Sequence, residues 1–105
     1  MNKYERNIQQ IRDRGESAEM YFLDKLQEEC VEVIRAVELV KYKKRVYTKE
    51  GMLMQIKEFK DFQKERADLK NILTYMDIIY NDLMKISTIQ LEKIDRGYER
   101  GKNEE

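Results

Sequence analysis

Leu26-Gln27-Glu28-Glu29-Cys30-Val31-Glu32 puts three carboxylates into five residues, inside a run whose apolar positions step through Phe22, Leu26, Cys30, Val33, Val37 and Val40. Steps of four and three residues are the period of one face of an α-helix. The helix they predict opens at Glu16 and Ser17, just after Gly15, and runs to about Lys44. Cys30 falls on the apolar repeat, which predicts a small buried core residue. On this helix Glu29 and Glu32 leave the axis about 60° apart and one turn along. Two acids placed that way can grip one hard cation.

Upstream, Asn2 and Glu5 have the capping-box spacing, and Tyr4, Ile8 and Ile11 give one apolar stripe. A short helix over 2–13 is predicted, closed by Arg14-Gly15. Downstream, Lys41 to Gly51 reads as a polar, basic connection, with Thr48 as the N-cap of the next helix and Gly51 in its first turn. From Met52 the apolar positions Ile56, Phe59, Phe62, Leu69, Leu73, Met76, Tyr80 and Leu83 predict a third helix ending near Ile86. Ser87-Thr88-Ile89-Gln90 has capping-box character and predicts the start of a fourth helix carrying Ile89, Leu91 and Ile94. That helix is expected to fray near Gly97, with a disordered tail from Gly101 to Glu105. The methionines at 52, 54, 76 and 84 read as core or interface filling.

Composition agrees with helices and narrows the chemistry. Of 105 residues, 41% are hydrophobic and 40% charged, with no proline and four glycines. The fold class is therefore all-α: a single domain, an antiparallel bundle of about four helices with its core over about 15–96, small enough that oligomerisation would help complete it. The 21 basic and 21 acidic residues cancel. No global positive field favours nucleic acid, and nucleic-acid binding is not expected. With no histidine there is no imidazole base or imidazole ligand, and a single cysteine excludes an internal disulfide and a multi-thiolate zinc site. No apolar run approaches the roughly 20 residues that span a bilayer, and the N-terminus lacks a signal-peptide core. A cytoplasmic protein away from membranes is expected.

A second acid pair, Glu65 and Asp68, repeats the spacing of Glu29 and Glu32. Two long helices joined by a short connection pack antiparallel, and residues level across such a hairpin have numbers adding to a constant. Glu32 with Glu65 and Glu29 with Asp68 give the same total, and its midpoint falls between Thr48 and Lys49, inside the connection assigned from composition. The four carboxylates thus come level. Facing acids repel and lose hydration, and they are tolerable when a cation sits among them. Oxygen ligands alone point to Mg²⁺, with Mn²⁺ as a substitute, and to metal-assisted attack of water on a phosphoanhydride. The competing reading is that acids spaced by three belong to a solvated face, as they do in many highly charged helices.

Glu28-Glu29-Cys30-Val31-Glu32 followed by Glu65-Arg66-Ala67-Asp68 resembles the EExxE and ExxD motifs of the MazG-like, all-α nucleoside triphosphate pyrophosphohydrolase superfamily, particularly its small phage-type members. Gly15 ahead of a helix leading into Lys25-Leu26-Gln27, and Lys41-Tyr42-Lys43-Lys44 at its end, is similar in context. The resemblance implies that Glu29, Glu32, Glu65 and Asp68 are magnesium ligands and that Glu28 either supports those ligands from outside or helps orient the attacking water, with Glu29 beside it in the catalytic set. It implies hydrolysis of (d)NTP to (d)NMP and pyrophosphate by a homodimer or homotetramer. The stretch between Glu32 and Glu65 is longer than the usual family gap. Equal lengthening of both hairpin arms leaves the acids level.

Weaker candidates for substrate binding are Lys70 and Asn71, within a turn of Asp68, and Tyr75, two turns on and able to stack on a base. Lys93 and Arg96 on the last helix are candidates to close over phosphates across a dimer interface. Two other functions stand beside the enzyme: a helical interaction or scaffold module whose acids are surface charge, and a degenerate member that binds nucleotide without hydrolysing it.

Overall fold

Four helices account for nearly all of the computed structural model, which describes residues 1–46 and 57–104, with no strand among them. The first, α1 (Lys3–Asp13), starts from the predicted capping box: Asn2 Oδ1 accepts from the Glu5 amide at 2.8 Å. It stops at Gly15, whose φ of +81° suits a residue without a Cβ. The Gly15 amide donates to Arg12 O and the Glu16 amide to Ile11 O, which satisfies carbonyls left open at the helix end. Ser17 Oγ accepts from the Met20 amide at 3.3 Å and caps α2 (Ala18–Val46).

Helix α2 continues through Lys41–Val46, where the sequence predicts the start of the connection. Lysine and arginine are good helix formers, so a basic run at a helix end is helical as readily as it is loop. Thr48, Gly51, Met52, Met54 and Ile56 lie outside the described residues. Helix α3 (Lys57–Tyr80) runs back along α2, because Lys43 pairs with Glu58 at 3.7 Å while Phe22 stacks on Tyr75, 4.4 Å between ring centroids. Rising numbers on one helix meet falling numbers on the other, which is the predicted antiparallel hairpin.

The break between the last two helices falls earlier than predicted. α3 ends at Tyr80 and α4 (Leu83–Glu104) begins at Leu83. Asn81 takes the left-handed conformation, φ 52°, while its amide still donates to Asp77 O. Asparagine tolerates this geometry better than most residues. Asp82 then supplies the carbonyl for the Ile86 amide. Ser87 and Thr88, predicted as a cap, lie inside α4, where the Thr88 hydroxyl donates back to Met84 O at 3.0 Å. The helix also passes Gly97 and Gly101 to Glu104, since a single glycine costs only about 1 kcal/mol in a helix.

Packing is uneven. Ile8, Ile11, Ala18 and Phe22 form the buried cluster where α1 crosses the hairpin, with Tyr21, Ile72, Tyr75, Met76 and Ile79 against it. Farther along α2, among the described residues, the buried apolar side chain is Ala36. Cys30, predicted to be buried, is exposed, and Val37 is exposed with it. The inward column of α2 is Phe22, Glu29 and Ala36, turned away from the Cys30–Val37 side. Phe22 belongs to both the predicted stripe and this column, and Leu26, Val33 and Val40 of that stripe are half-buried, so the predicted face is rotated by only part of a turn. Among the described residues no helix is long and apolar enough to cross a membrane.

Candidate metal centre

Seven residues make nearly two turns, so Glu29 takes the inward place on α2 that Phe22 takes before it and Ala36 after it. On α3, Glu65 stands in the same relation to Ile72 and Ile79. Hairpin pairing brings the two columns together. One carboxylate oxygen from each of Glu29, Glu65 and Asp68 lies within 4.8 Å of the others. Glu29 and Glu65 are half-buried, Asp68 exposed. Glu32, also exposed, stands beside them and acts on both glutamates.

These acids disturb one another. Loss of hydration pushes the Glu29 carboxyl above the ordinary carboxylate range, and the charges of Glu32 and Asp68 add to it. Glu65 is pushed up first by a hydrogen bond that its protonated form shares with Glu32, then by loss of hydration and by Glu32, Asp68 and Glu29. Oε2 of Glu29 and Oε2 of Glu65 are shielded from solvent and lack a hydrogen-bond partner. Shielded, unpartnered carboxylate oxygens are costly. Exposed acids also gather on surfaces without an ion, and the acid cluster alone is no evidence of one. The residues do fit a small hard cation: every donor is oxygen, three converge, and two have nothing else to bind.

Glu28 is turned to the margin, where it accepts from Lys25 at 3.2 Å. Asn71 Oδ1 accepts from the Tyr4 hydroxyl at 3.0 Å, and Lys70 is exposed, its carbonyl accepting from Thr74. Tyr75 is engaged in packing: it stacks on Phe22, meets Tyr4 edge-on, and its hydroxyl accepts from Asn7 at 2.6 Å. Lys93 and Arg96 are exposed on α4, outside the acid cluster.

Two open crevices flank the acids. Toward the connection, a groove of about 290 Å³ is lined by Glu32, Arg35, Ala36, Asp61, Lys64 and Glu65, among others. Toward α1, a crevice of about 330 Å³ is bordered by Asn7, Gln10, Arg14, Tyr21, Lys25 and Tyr75, among others. Sequence reading did not single out Arg35, Lys64 or Tyr21, and took Lys25 only as part of the Lys25-Leu26-Gln27 context. The usable signal was spacing: Arg35 lies one turn after Glu32, and Lys25 one turn before Glu29.

No protein-family model matches the chain, and neither a curated protein nor a solved structure matches it. The likeness to MazG-like enzymes therefore rests on the sequence motifs and their helical context alone.

Proposed function

We propose that the protein is a Mg²⁺-dependent nucleotide pyrophosphohydrolase, converting (d)NTP and water to (d)NMP and pyrophosphate. The observation that carries this reading is the pair of shielded, unpartnered oxygens on Glu29 and Glu65, aligned with Asp68. Glu29, Glu32, Glu65 and Asp68 would hold the ion, Mn²⁺ being a substitute. A divalent ion bound there supplies charge neutralisation for the phosphates and makes water a better nucleophile. Glu28, ion-paired with Lys25 at the edge, orients the attacking water and accepts its proton. Arg35 and Lys64 take up charge on the departing pyrophosphate. The crevice with Tyr21, Asn7 and Gln10 offers an aromatic wall and amides to the nucleoside. The working form is a homodimer or homotetramer.

The test is pyrophosphate release from a panel of canonical and modified nucleoside triphosphates with Mg²⁺. Release that vanishes on Glu29→Gln supports the reading. Folded, Mg²⁺-bound protein that releases none across the panel overturns hydrolysis. A melt that shifts with nucleotide in that case identifies a binding protein instead. One observation favours the interaction-module reading: α4 exposes a row of large apolar side chains. That module predicts a melting temperature indifferent to Mg²⁺, whereas the enzyme predicts a rise.

A further inference from the structure

The α2–α3 hairpin has an apolar face that the described residues leave open. Between Phe22 and Val40, an arc of about 120° on α2 holds Leu23, Leu26, Cys30, Val33, Ile34 and Val37 and no charged residue. Between Phe59 and Tyr80, an arc of about 60° on α3 holds Phe62, Leu69, Leu73, Met76 and Tyr80 and no charged residue. The helices are antiparallel, so these two flanks open on the same side of their seam. Helix α1 lies on the opposite side, where Tyr4 and Asn7 bond Asn71 and Tyr75. On the open side Leu23, Cys30, Ile34, Val37, Leu73 and Tyr80 are exposed.

Helix α4 carries a matching stripe. From Leu83 to Tyr98, an arc of about 100° holds Leu83, Met84, Ser87, Leu91, Ile94 and Tyr98 and no charged residue. All but Ser87 are more than half exposed. In the structure α4 leaves the hairpin at Asn81 and Asp82 and keeps this stripe in water. The radius of gyration is accordingly 18.2 Å, against about 13 Å for a closed domain of this length.

Length, connection and charge all match α4 to the open face. Its 22 residues compare with 24 in α3. Two connecting residues suffice for an antiparallel helix pair. Folding back about the Asn81–Asp82 bond sets Leu83 level with Tyr80 and Ile94 level with Leu69, and brings Leu91 beside Leu73. The same register sets Arg66 between the levels of Asp95 and Glu99, and Lys70 beside Glu92. Those three acids line the edge of the α4 stripe that turns to α3, and Arg66 and Lys70 line the outer edge of the α3 arc.

We propose that α4 pivots at Asn81 and Asp82 and docks, within its own chain, on the apolar face of the α2–α3 hairpin. Docking covers Leu26, Val33 and Leu69, which lie one turn from Glu29 and Glu65, and so shields the acid layer on the side away from α1. Closure needs no nucleotide and holds whether or not pyrophosphate is released.

Cys30, the single cysteine, lies on the open face and reports on docking. Gly97→Cys adds a second thiol on α4, at a position where a Cβ meets nothing within 4 Å. Folding back sets position 97 level with Val31, next to Cys30. A short bis-maleimide should then join the two thiols within one chain, giving the mass of one chain plus one linker under denaturing conditions. The yield should not change on dilution of the protein. Arg66→Glu with Lys70→Glu should lower it at least about threefold, and adding Glu92→Lys with Asp95→Lys should restore it. Links formed only between chains would assign the face to a second copy and overturn the proposal. Absence of any link, with helicity unchanged, overturns it too, as does a yield that the charge reversals leave unmoved.

Discussion

Two successive layers of the α2–α3 seam are built on the same columns and could hardly differ more. In one, Phe22 is 3% exposed and stacks on Tyr75, with α1 sealing the end. Two turns along, the equivalent places hold Glu29 and Asp68, flanked by Glu32 and Glu65. Each facing pair has residue numbers adding to the same total, so the backbone register is one and the side chains alone change. The aromatic layer carries the packing. The acid layer is left poorly satisfied, with two shielded oxygens unpartnered. Unsatisfied polar groups beside a well-packed layer are typical of a site whose stability is supplied by its surroundings.

The sharpest way to break the contrast is to remove one acid. Glu29→Gln keeps shape and helix but deletes a charge and an ion ligand. Pyrophosphate release should fall by a factor of at least about 100, since even outer partners of metal ligands cost 10–100-fold. The rise in melting temperature with millimolar Mg²⁺ should vanish with it. Without metal the same variant should melt higher than the parent, because it relieves repulsion among Glu32, Asp68 and Glu65. Metal-free destabilisation by Glu29→Gln would show that the acids are satisfied surface charge.

The matching substitution in the other layer has the opposite sign. Phe22→Ala opens a cavity under Tyr75 and beside Ile8 and Ile11 and should cost about 3–4 kcal/mol by denaturant titration. It should do so equally with and without Mg²⁺. A loss below about 1 kcal/mol would mean that the hairpin is held elsewhere.

Acidity separates the layers next. Glu29 and Glu65 both hold protons more tightly folded than unfolded. Between the ordinary value of 4.5 and their raised values, the folded chain therefore binds more protons. Stability contributed by these groups is present below that window and falls as pH rises through it. In chelator, the melting-temperature gap between Glu29→Gln and the parent should widen from about pH 4.5 to about pH 7. A gap that stays constant would remove the coupling among the acids.

Much of this seam was legible because it depends on spacing. The capping box of α1 and the all-α class follow from local patterns, and the level acids follow from one hairpin constraint. Two things escaped. The phase of α2 was misread at Cys30 and Val37, roughly 100° round the helix from Glu29 and Ala36, because a carboxylate and a small alanine mark the inward column poorly. Only packing shows that the inward column runs Phe22, Glu29, Ala36. The α3–α4 break was misplaced because Ser87-Thr88 and Asn81-Asp82 both have capping chemistry. The left-handed Asn81 marks where it acts, while Thr88 bonds back into its own helix. Arg35 and Lys64 were passed over for a related reason: in a chain that is 40% charged, a cation one turn from an acid stands out only once a groove surrounds it.

The smallest effect tests whether the layers are independent. Tyr75→Phe keeps the stack on Phe22 and removes only the hydroxyl that accepts from Asn7 at 2.6 Å. An exposed neutral hydrogen bond of this kind is worth about 0.5–1 kcal/mol. Tyr75 and Asp68 are seven residues apart on one helix, about 10 Å, where mutational effects usually add to within about 0.5 kcal/mol. Tyr75→Phe combined with Glu29→Gln should therefore give the sum of the two stability changes, in chelator and in Mg²⁺ alike. If the Tyr75 hydroxyl instead bonds a bound nucleoside, the single variant raises KM for nucleotide while the rise in melting temperature with Mg²⁺ alone is unmoved. Departure from additivity in the absence of nucleotide would mean that the aromatic layer and the acid layer move as one unit. The seam would then be tuned along its whole length, with no separate support for the acid layer.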